Sequence, residues 1–244
     1  MGNPTAAMLV IGDEILSGRT KDINVGFLAE RLTEAAVDLK EVRMVADDHD
    51  VIVDAVRTLS DRWDHVFTSG GIGPTHDDIT ADAIADAFGA SIDVRDDARA
   101  LLATHYSKNG IELNEARLRM ARIPDGAALI DNPVSVAPGF SIENVHVMAG
   151  VPVVFQAMVT SVVATIAGGL PILSRTVRIN MPEGEIAGPL GEIALAHSDV
   201  SIGSYPFILN GRFGSNIVFR CTDEILLSSA VRAFEQAFPK AHEV

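Results

Sequence analysis

The sequence predicts an α/β protein: a mostly parallel sheet with helices on both faces, followed by a smaller α+β domain. Three strand-then-helix patterns follow one another before Gly89, which is typical of parallel strands joined by helical crossovers. After the glycine- and proline-rich segment 168–171, the pattern changes to alternating strands and separate helices. We therefore predict one domain over residues 1–169 and a second over residues 170–244.

The composition is that of a globular protein with an acidic surface. Of 244 residues, 48% are hydrophobic and 21% are charged, so a sizeable core can form. The formal net charge of −14 argues against a nucleic-acid partner, which requires a basic face. Cys221 is the only cysteine, so an internal disulfide is excluded, which fits a reducing compartment. We expect a cytoplasmic protein that binds neither nucleic acid nor membranes.

Each of the three strand-then-helix patterns begins with an apolar run and continues into a helical pattern. The first run is continuously apolar, as in a buried strand, and apolar residues then recur at helical spacing. Two strands are predicted over residues 7–11 and 39–45, and a third in the short apolar run that follows His65 and precedes the glycines. The helices are predicted over residues 25–36, 52–59 and 81–88.

The loop from Gly70 to Thr80 is the strongest functional signal in the chain. It reads Gly-Gly-Ile-Gly-Pro-Thr-His-Asp-Asp-Ile-Thr and lies between a predicted strand and a predicted helix. Backbone N–H groups at such a turn favour an anion, and glycine lets the backbone approach it closely. Asp77 and Asp78 would repel a bare phosphate, so a divalent cation between them and the ligand is the natural complement.

The alternative to a ligand site is that this loop is a tight strand-to-helix turn capped by Asp78 or Thr80, with a purely structural role. The length of the loop and its adjacent acids favour a ligand site over a simple turn. The loop is not a dinucleotide fingerprint, because His76 stands where the third glycine belongs. It is not a Walker A loop either, since no Gly-Lys-Ser/Thr follows.

Acidic residues from distant parts of the sequence are expected on the same rim. In a parallel sheet, ligands bind beyond the carboxyl ends of the strands. This rule brings together five carboxylates: Asp13, Glu14, Asp48, Asp77 and Asp78.

The middle of the chain is less regular. We predict a short strand over 91–94, helices over 96–108 and 112–122, and a hairpin formed by residues 140–142 and 145–148. Residues 147–173 have no charged side chain, but glycine and proline interrupt both ends and the apolar residues share one helical face. This stripe indicates a core-facing helix and not a membrane span.

The second domain is expected to contain three strands and two helices. We place the strands over 174–180, 200–204 and 216–222, with Val218 in the core, and the closing helix over 224–238. The other helix is predicted over 186–196, with Pro189 near its start, where proline is tolerated.

Other catalytic motifs are absent from the sequence. There is no Gly-x-Ser-x-Gly, no His-Glu-x-x-His and no paired cysteine motif. Of the seven histidines, only His76 lies in the glycine loop. It is either a phosphate contact or general acid, or an ordinary loop residue.

Several separated motifs stand out in the sequence. They are Gly12-Asp13-Glu14-Ile15-Leu16-Ser17-Gly18, Asp22-x-Asn24, Asp47-Asp48, the loop Gly70–Thr80, Asn132-Pro133, Ala137-Pro138-Gly139-Phe140 and Ile202-Gly203-Ser204-Tyr205-Pro206. Together they resemble the molybdopterin-binding-like domain of the MoaB/Mog superfamily, in particular the N-terminal part of bacterial CinA (competence/damage-inducible protein A). The corresponding domain of eukaryotic FAD synthases is similar.

The resemblance implies an α/β/α core and a small α+β domain of KH type. For CinA proteins it implies divalent-metal-dependent hydrolysis of ADP-ribose. For the FAD synthase domain it implies hydrolysis of FAD to FMN and AMP, and for the MogA branch adenylylation of molybdopterin. The CinA amidohydrolase domain that acts on nicotinamide mononucleotide has no counterpart here, so we expect that activity to be absent. Relatives self-associate, so we expect a homodimer.

One departure from the family pattern concerns the segment after the hairpin. The family often shows Pro-Gly-Val-Pro-Ser-Glu-Met, whereas this chain has Ala149-Gly150-Val151-Pro152-Val153-Val154-Phe155. Val154 therefore stands where relatives carry glutamate. If that glutamate binds metal or ribose in the relatives, the site of this chain is altered.

Our leading hypothesis is a metal-dependent pyrophosphatase acting on a nucleoside diphosphate compound such as ADP-ribose or FAD. A divalent metal (Mg²⁺, Mn²⁺ or Co²⁺), with a monovalent cation as a further candidate, would be held by Asp13, Glu14 and Asp78. Catalytic roles are assigned to Asp78, Asp48 and Asp77. Contacts to a nucleotide or pterin ligand are expected from Gly12, Asn24, Gly70, Gly71, Gly73, Pro74, Thr75, His76, Thr80, Asn132, Pro138, Gly139, Gly150 and Pro152. The alternatives are a molybdopterin-binding or adenylylating protein and a non-catalytic nucleotide-binding module.

Overall fold

The computed structural model describes residues 3–166, 168–209 and 211–244. The chain divides between Gly169 and Leu170 into two compact units, which we call the N-terminal unit and the C-terminal unit. Each has its own hydrophobic core.

The N-terminal unit alternates strands and helices over its first half, as the apolar periodicity predicts. Its elements are β1 (Thr5–Ile11), α1 (Asp13–Leu16), α2 (Asn24–Glu34), β2 (Asp38–Val45), α3 (His49–Arg62), β3 (His65–Ser69), α4 (Thr80–Phe88), β4 (Ile92–Val94), α5 (Asp96–Lys108), α6 (Glu115–Leu118), β5 (Arg122–Pro124), β6 (Ala128–Ile130), β7 (Gly139–Ile142), β8 (Val145–Met148) and α7 (Pro152–Val163).

The main sheet has six strands in the order β2-β1-β3-β8-β7-β6. Strand β1 pairs in parallel with β2 and β3, and β3 pairs in parallel with β8. Strand β7 returns antiparallel to β8, and β6 lies antiparallel to β7. The predicted mostly parallel α/β sheet is confirmed. Strands β4 and β5 form a separate two-stranded sheet.

The two faces of this sheet bury two different sets of side chains. Ala7, Leu9 and Ile11 of β1 pack with residues of α3, α4 and α5. Met8 and Val10, on the other face, pack with residues of α2 and α7. Alternate residues of a strand point to opposite faces, so a continuously apolar strand is buried on both sides. Helices therefore cover both faces of the sheet.

Helix α7 is the apolar segment that the sequence assigns to the core. It begins at Pro152, where the missing N–H of proline has no helical partner to lose. Phe155, Met158 and Val159 are fully buried against the sheet. No helix in the described residues is long and apolar enough to cross a membrane.

The predicted helix over 112–122 is wrong. Helix α6 is a single turn, begun by the Asn114 side chain, which accepts a hydrogen bond from the N–H of Arg117. A 3₁₀ turn, Arg119–Ala121, follows, and the chain then pairs with β4 as strand β5. Pro124 ends the segment, and the guanidinium of Arg122 forms two hydrogen bonds with the Asp82 carboxylate on α4. Tertiary contacts therefore override the local helical pattern.

The C-terminal unit is an antiparallel sheet with helices on one face. Its elements are β9 (Leu173–Ile179), α8 (Glu183–Ala196), β10 (Ser201–Leu209), β11 (Arg212–Cys221), α9 (Glu224–Ala237) and β12 (His242–Glu243). The strand order is β10-β11-β9-β12. Its core contains residues of α8 and α9 together with Val177 and Ile179 of β9 and Ile217 and Phe219 of β11.

Two expectations for this unit are corrected. Helix α8 begins three residues earlier than predicted, so Pro189 lies inside it and not near its start. Glu183 and Glu185 in its first turn favour the early start, because carboxylates stabilise the positive end of a helix. Val218 is half-buried on the face opposite the helices, because Ile217 and Phe219 occupy the core-facing positions on either side of it.

Candidate functional site

A cavity of about 520 Å³ lies at the carboxyl ends of the parallel strands. This is the edge at which open α/β sheets bind ligands, and the volume is in the range of small-molecule sites. Its walls come from the ends of β1, β2, β3 and β8 and from the loop between β6 and β7. The lining residues are Ile11, Gly12, Glu14, Asp47, Gly70, Gly71, Ile72, Gly73, Pro74, Asp77, Asp78, Met120, Asn132, Ser135, Ala137, Ala149, Gly150, Val151 and Val154.

The glycine loop is packed so closely that two of its positions exclude any other residue. Gly70 has a φ of 112°, and a Cβ there would lie 2.1 Å from the carbonyl oxygen of Ile11. Gly71 has a φ of 70°, and a Cβ there would lie 2.0 Å from the Thr80 hydroxyl oxygen. Only glycine avoids both the contact and the strain of the left-handed backbone region. The wall of the cavity is therefore main chain here.

Three consecutive N–H groups of this loop have no acceptor. In the described part of the chain, no hydrogen bond is formed by the N–H of Gly71, Ile72 or Gly73, and all three residues line the cavity. The neighbouring groups are paired: the N–H of Gly70 donates to Met148, and that of Thr80 donates to the carbonyl of Gly71. Successive unpaired N–H groups in a turn form a concavity that suits an anion.

Asp77 and Asp78 are organised by the Thr75 hydroxyl. Its oxygen lies 2.5 Å from Asp77 Oδ1 and 2.6 Å from Asp78 Oδ2, so it can donate its single proton to either carboxylate. The N–H of Thr75 also donates to Asp78 Oδ2 at 2.8 Å. The hydrogen bond from Thr75 lowers the pKa of Asp77. The lowered pKa keeps Asp77 ionised and able to bind a cation.

Asp47 is a further acid in the wall of the cavity. Its carboxylate accepts a hydrogen bond from the N–H of Asp13 at 2.9 Å. Burial raises the pKa of Asp47, and the nearby charges of Asp13, Glu14 and Asp77 raise it further. The acids of this rim are therefore close enough to repel one another, which a bound cation would relieve.

The cavity wall carries four carboxylates and no basic side chain. Glu14, Asp47, Asp77 and Asp78 line it, without any Lys, Arg or His. Across residues 3–166, 168–209 and 211–244, no three or more His, Cys, Asp or Glu side chains are grouped so that they could hold a metal ion. These carboxylates suit a hard cation such as Mg²⁺, which is commonly bound by one or two of them together with water and substrate phosphate.

Asn24 fixes the backbone that surrounds the glycine loop. It is buried, and its amide nitrogen donates to Ser69 Oγ at 2.9 Å and to the carbonyl of Gly150 at 2.8 Å. These bonds join the end of β3 to the turn after β8. A Cβ on Gly150 would lie 3.2 Å from the Cα of Gly70, so the two segments are in close contact.

Asn132 organises the loop between β6 and β7. Its amide nitrogen donates to Ser135 Oγ and to the carbonyl of Ala137, and its oxygen accepts the N–H groups of Val134 and Ser135. Within this loop Val136 has a φ of 67°, a strained value for a β-branched residue. The four bonds from Asn132 hold this strained loop against the cavity.

The sequence of the N-terminal unit matches a known domain family. Residues 7–170 match the probable molybdopterin binding domain. The chain belongs to this family. Residues 171–244 match the middle domain of FAD synthase. The predicted resemblance to MoaB/Mog and CinA proteins is thereby confirmed.

Several known proteins and solved structures are similar to this chain. A protein of Archaeoglobus fulgidus is 32% identical over 232 residues, covering 94% of this chain and 96% of that protein. The crystal structure of CinA from Thermoplasma acidophilum, described as of unknown function, is 34% identical with a TM-score of 0.59, covering 64% of this chain and 94% of that one. The molybdopterin biosynthesis enzyme MoaB from Thermus thermophilus is 16% identical with a TM-score of 0.46, covering 67% of this chain and 91% of that chain.

Ten of the residues predicted for the site line the cavity of this molybdopterin-binding domain. They are Gly12, Glu14, Gly70, Gly71, Gly73, Pro74, Asp77, Asp78, Asn132 and Gly150. Thr75 does not line the cavity but orients Asp77 and Asp78 through its hydroxyl group. Pro138 lines a smaller cavity, which Gly73 also lines.

The remaining predicted residues lie elsewhere. Asp48 caps α3 by accepting the N–H of Val51, so Asp47 takes the rim position assigned to Asp48. Asp13 contributes its backbone N–H to Asp47. Asn24 supports the backbone, as described above.

Four more residues that were predicted to contact a ligand do not line the cavity. Thr80 is buried behind Gly71, and Gly139 begins β7 with its Cα close to the carbonyl of Val147. Pro152 starts α7, and the His76 side chain is 99% exposed.

Several wall residues were not predicted as site residues. Met120 was assigned to a helix that does not form, and Ser135 reaches the cavity only because Asn132 folds the loop. Val154, which is 7% exposed, lines the cavity from the first turn of α7. The departure from the family pattern therefore lies in the site itself. The sequence signal that could have predicted this part of the wall is the alternation of small and apolar residues around Gly150.

Proposed function

We propose that the cavity binds a nucleoside diphosphate compound, such as ADP-ribose or FAD, together with a divalent cation, and that the protein hydrolyses the diphosphate linkage. The observation that supports this most directly is the pairing of opposite features in one wall. Three unpaired N–H groups, at Gly71, Ile72 and Gly73, lie in the same cavity as four carboxylates. The concavity formed by these N–H groups, which we call the amide nest, favours phosphoryl oxygens. The carboxylates favour a cation, which neutralises the charge of the phosphoryl oxygens.

The proposed roles follow from this wall. Gly71 and Gly73 hold one phosphoryl group through their N–H groups. Asp77 and Asp78, kept in place by Thr75, are the residues that would hold the cation, with Glu14 in the wall of the same cavity. Such an ion supplies charge neutralisation on the phosphoryl oxygens and a more acidic bound water. The fit is supported by the pKa of Asp47, which burial raises and which the nearby charges of Glu14 and Asp77 raise further.

Asp47 is the best-placed proton acceptor in the wall. Its raised pKa makes its carboxylate a stronger base than an ordinary aspartate, and the N–H of Asp13 fixes its orientation. We assign it the task of positioning and deprotonating the attacking water, which the sequence had suggested for Asp48 or Asp77.

Two family matches support the choice of ligand. The family of the N-terminal unit is described as molybdopterin-binding, and the C-terminal unit matches a domain of FAD synthase. Both names describe compounds with a fused heterocycle and phosphate. The apolar part of the wall, which includes Ile11, Met120 and Val151, provides a surface for such a ring.

Molybdopterin binding is the second candidate function. It uses the same nest and the same apolar surface, and the description of the family favours it. Equilibrium binding of molybdopterin and of ADP-ribose to the same preparation separates the two candidates, because the proposed function requires the tighter binding of ADP-ribose.

The third candidate is a nucleotide-binding protein without catalysis. Val154 supports it, because this position lines the cavity and lacks the carboxylate that the family resemblance implies there. Substitution Val154→Glu tests it directly. If the missing carboxylate limits catalysis, the variant hydrolyses ADP-ribose faster than the parent protein. Binding without hydrolysis by both proteins favours the non-catalytic candidate.

The decisive test is a hydrolysis screen of ADP-ribose and FAD with Mg²⁺, Mn²⁺ and Co²⁺, followed by Asp78→Asn. We expect the substitution to lower turnover roughly a hundredfold or more, as for other electrostatic catalytic groups. Asp61→Asn, which changes an exposed acid on α3, is the matched control and should retain full activity. Unchanged turnover in Asp78→Asn excludes this role for Asp78, and no turnover by the parent protein with any metal excludes the hydrolase.

A homodimer remains part of the proposal. Light scattering after size exclusion measures it, and a monomer at micromolar concentration contradicts it.

A further inference from the structure

The sheet of the C-terminal unit has a face that its helices do not cover. Ile217 and Phe219 point into the core beneath α8 and α9, so the alternate residues of β11 point the other way. We call this side the open sheet face and define it by six residues of β9, β10 and β11. They are Arg178, Tyr205, Phe207, Arg212, Asn216 and Arg220.

The charge of this face is opposite to that of the whole chain. The chain has a net charge of −14, yet the strand positions described on this face include three arginines and neither Asp nor Glu. Within the described residues, none of these arginines forms an ion pair with a carboxylate. By contrast, Arg175, on the helical side of β9, is paired with Glu243. Unpaired arginines on one face indicate an anionic ligand.

Two aromatic rings occupy the space that a side chain at a nearby glycine would take. A Cβ on Gly203 would lie 3.1 Å from the ring of Tyr205, and a Cβ on Gly214 would lie 2.3 Å from the ring of Phe207. The guanidinium carbon of Arg178 lies 4.8 Å from the centroid of the Phe207 ring. Tyr205 remains 51% exposed. Aromatic rings and guanidinium groups on a sheet are the groups on which nucleobases stack.

The register places these groups in one row across the sheet. Tyr205 pairs with Asn216, and Asn216 pairs with Arg178. Neighbouring strands are about 5 Å apart, so the row extends for about 10 Å, a length suited to one nucleotide. Asn216 Oδ1 accepts a hydrogen bond from Arg178 Nε, which leaves the amide hydrogens of Asn216 directed away from that bond.

We propose that the open sheet face is a second ligand site, which binds a single nucleotide. The base stacks on Tyr205 and on the guanidinium of Arg178, and Asn216 donates a hydrogen bond to its edge. The phosphate is held by Arg212 and Arg220, the exposed arginines of the same face.

A free nucleotide fits this face better than a nucleic-acid strand does. The residues from Leu170 onward contain six basic and eight acidic residues, a net charge of −2, so the N-terminal unit carries the other −12. A polyanion is repelled by such a chain over long distances, whereas one phosphate needs only the local arginines. The site lies in a different unit from the cavity and does not depend on the function proposed for that cavity.

The two tyrosines of the chain make a direct test possible. Tyr106 lies in the N-terminal unit and Tyr205 on the open sheet face, and the chain has no others. Full-length protein labelled with 3-fluorotyrosine therefore gives one fluorine signal for each unit, assigned with Tyr106→Phe. We expect AMP to shift the Tyr205 signal saturably, because a stacked base changes the local ring current.

Matched variants identify the face. Arg178→Gln and Arg220→Gln should each weaken AMP binding, measured at Tyr205, by roughly tenfold, as expected for loss of a stacking or charged contact. Arg232→Gln removes the same charge from the exposed surface of α9 and should leave the AMP affinity unchanged. Circular dichroism of each variant checks that the fold is retained.

Other ligands and outcomes separate the alternatives. A Tyr205 signal that AMP and FMN leave unmoved at millimolar concentration overturns the proposal. An equal response to inorganic phosphate shows a charge effect without stacking and also overturns it. If a ten-residue thymidine strand binds far more tightly than AMP, the occupant is a nucleic acid and the choice of a free nucleotide is wrong. Hydrolysis by the cavity affects none of these outcomes, because AMP contains no diphosphate.

Discussion

The cavity of the N-terminal unit and the open sheet face of the C-terminal unit are built in opposite ways. The cavity presents main-chain N–H groups and carboxylates, and its glycines are needed because a Cβ would collide with neighbouring atoms. The open sheet face presents arginines and aromatic rings, and its glycines provide room for the rings. A phosphate ligand therefore needs a cation in the first site but finds positive charge already present in the second.

The two sites should also differ in how strongly amino-acid substitutions affect the fold around them. The first depends on backbone geometry, which a single added methyl group disrupts. The second depends on side chains of a regular sheet, which can be exchanged with little effect on the fold. The following experiments test this difference, from the largest expected effect to the smallest.

Gly70→Ala tests the claim that the cavity is built from backbone. The new Cβ would lie 2.1 Å from the carbonyl oxygen of Ile11 at a φ of 112°, so we expect a loss of about 3 kcal/mol or more in the free energy of unfolding. Gly89→Ala is the matched control. Its φ is also positive, at 66°, but its Cβ would have open space, so about 1 kcal/mol is expected. Urea unfolding measures both, and equal losses contradict the claim.

His146 makes the N-terminal unit sensitive to acid. Burial, together with the smaller effect of the charge of His65, lowers the pKa of His146 from 6.5 to about 4; His146 Nε2 lies 3.4 Å from His65 Nδ1. Because the folded form resists protonation, the stabilisation is present above pH 6.5 and is lost as the pH falls towards 4. The loss amounts to about 3 kcal/mol.

Substitution His146→Gln removes this dependence. Between pH 7.5 and pH 4, the variant should gain about 3 kcal/mol relative to the parent protein. The fluorine signal of Tyr106 reports unfolding of the N-terminal unit, and that of Tyr205 reports the C-terminal unit. His197→Gln, in the C-terminal unit, is the control. If the difference in stability between His146→Gln and the parent protein does not vary with pH, His146 is not the source of the acid sensitivity.

Asp47→Asn tests the repulsion among the acids of the cavity. Because folding raises the pKa of Asp47, the ionised form costs stability, which is highest at low pH and falls as the pH rises through the raised pKa. The amide keeps the bond from Asp13 without the charge. After allowance for solvent screening, we expect a gain at pH 7 of less than about 1 kcal/mol.

The same variant should respond less to cations. Mn²⁺ should raise the melting temperature of the parent protein more than that of Asp47→Asn, because one carboxylate of the rim is lost. An identical response of both proteins shows that Asp47 does not contribute to cation binding.

Arg175→Gln gives the smallest effect. Its ion pair with Glu243 is partly exposed, so its loss should change the free energy of unfolding by only about 0.5 kcal/mol or less. Arg175 lies on the helical side of β9, so AMP should shift the Tyr205 signal as before. A weakened AMP response would mean that general charge, and not the open sheet face, attracts the nucleotide.

The sequence predicted those parts of the site that are made of glycine. Gly70, Gly71 and Gly73 could be recognised because a strand, a turn and a helix follow in order, and this order fixes where the backbone N–H groups lie. The identity of the rim acid could not be recognised. Asp47 and Asp48 are adjacent and chemically equal, and only the start of α3 decides that Asp48 caps a helix while Asp47 lines the cavity.

The same limit applies wherever a residue depends on a distant partner. Met120 lines the cavity because residues 122–124 pair with β4, and the local pattern had favoured a helix. The open sheet face was not predicted because its row, from Tyr205 to Arg178, joins three strands whose register no local pattern specifies.

The sequence by itself determined the order of strands and helices in the first half of the N-terminal unit, the parallel sheet, the glycine loop between a strand and a helix, and the family. These follow from local periodicity and from short motifs, which act over neighbouring residues. Only the tertiary structure decided which carboxylates share a wall, which face of the second sheet is uncovered and which arginines remain unpaired. Those properties depend on strand register and helix packing, which bring together side chains that are far apart in the chain.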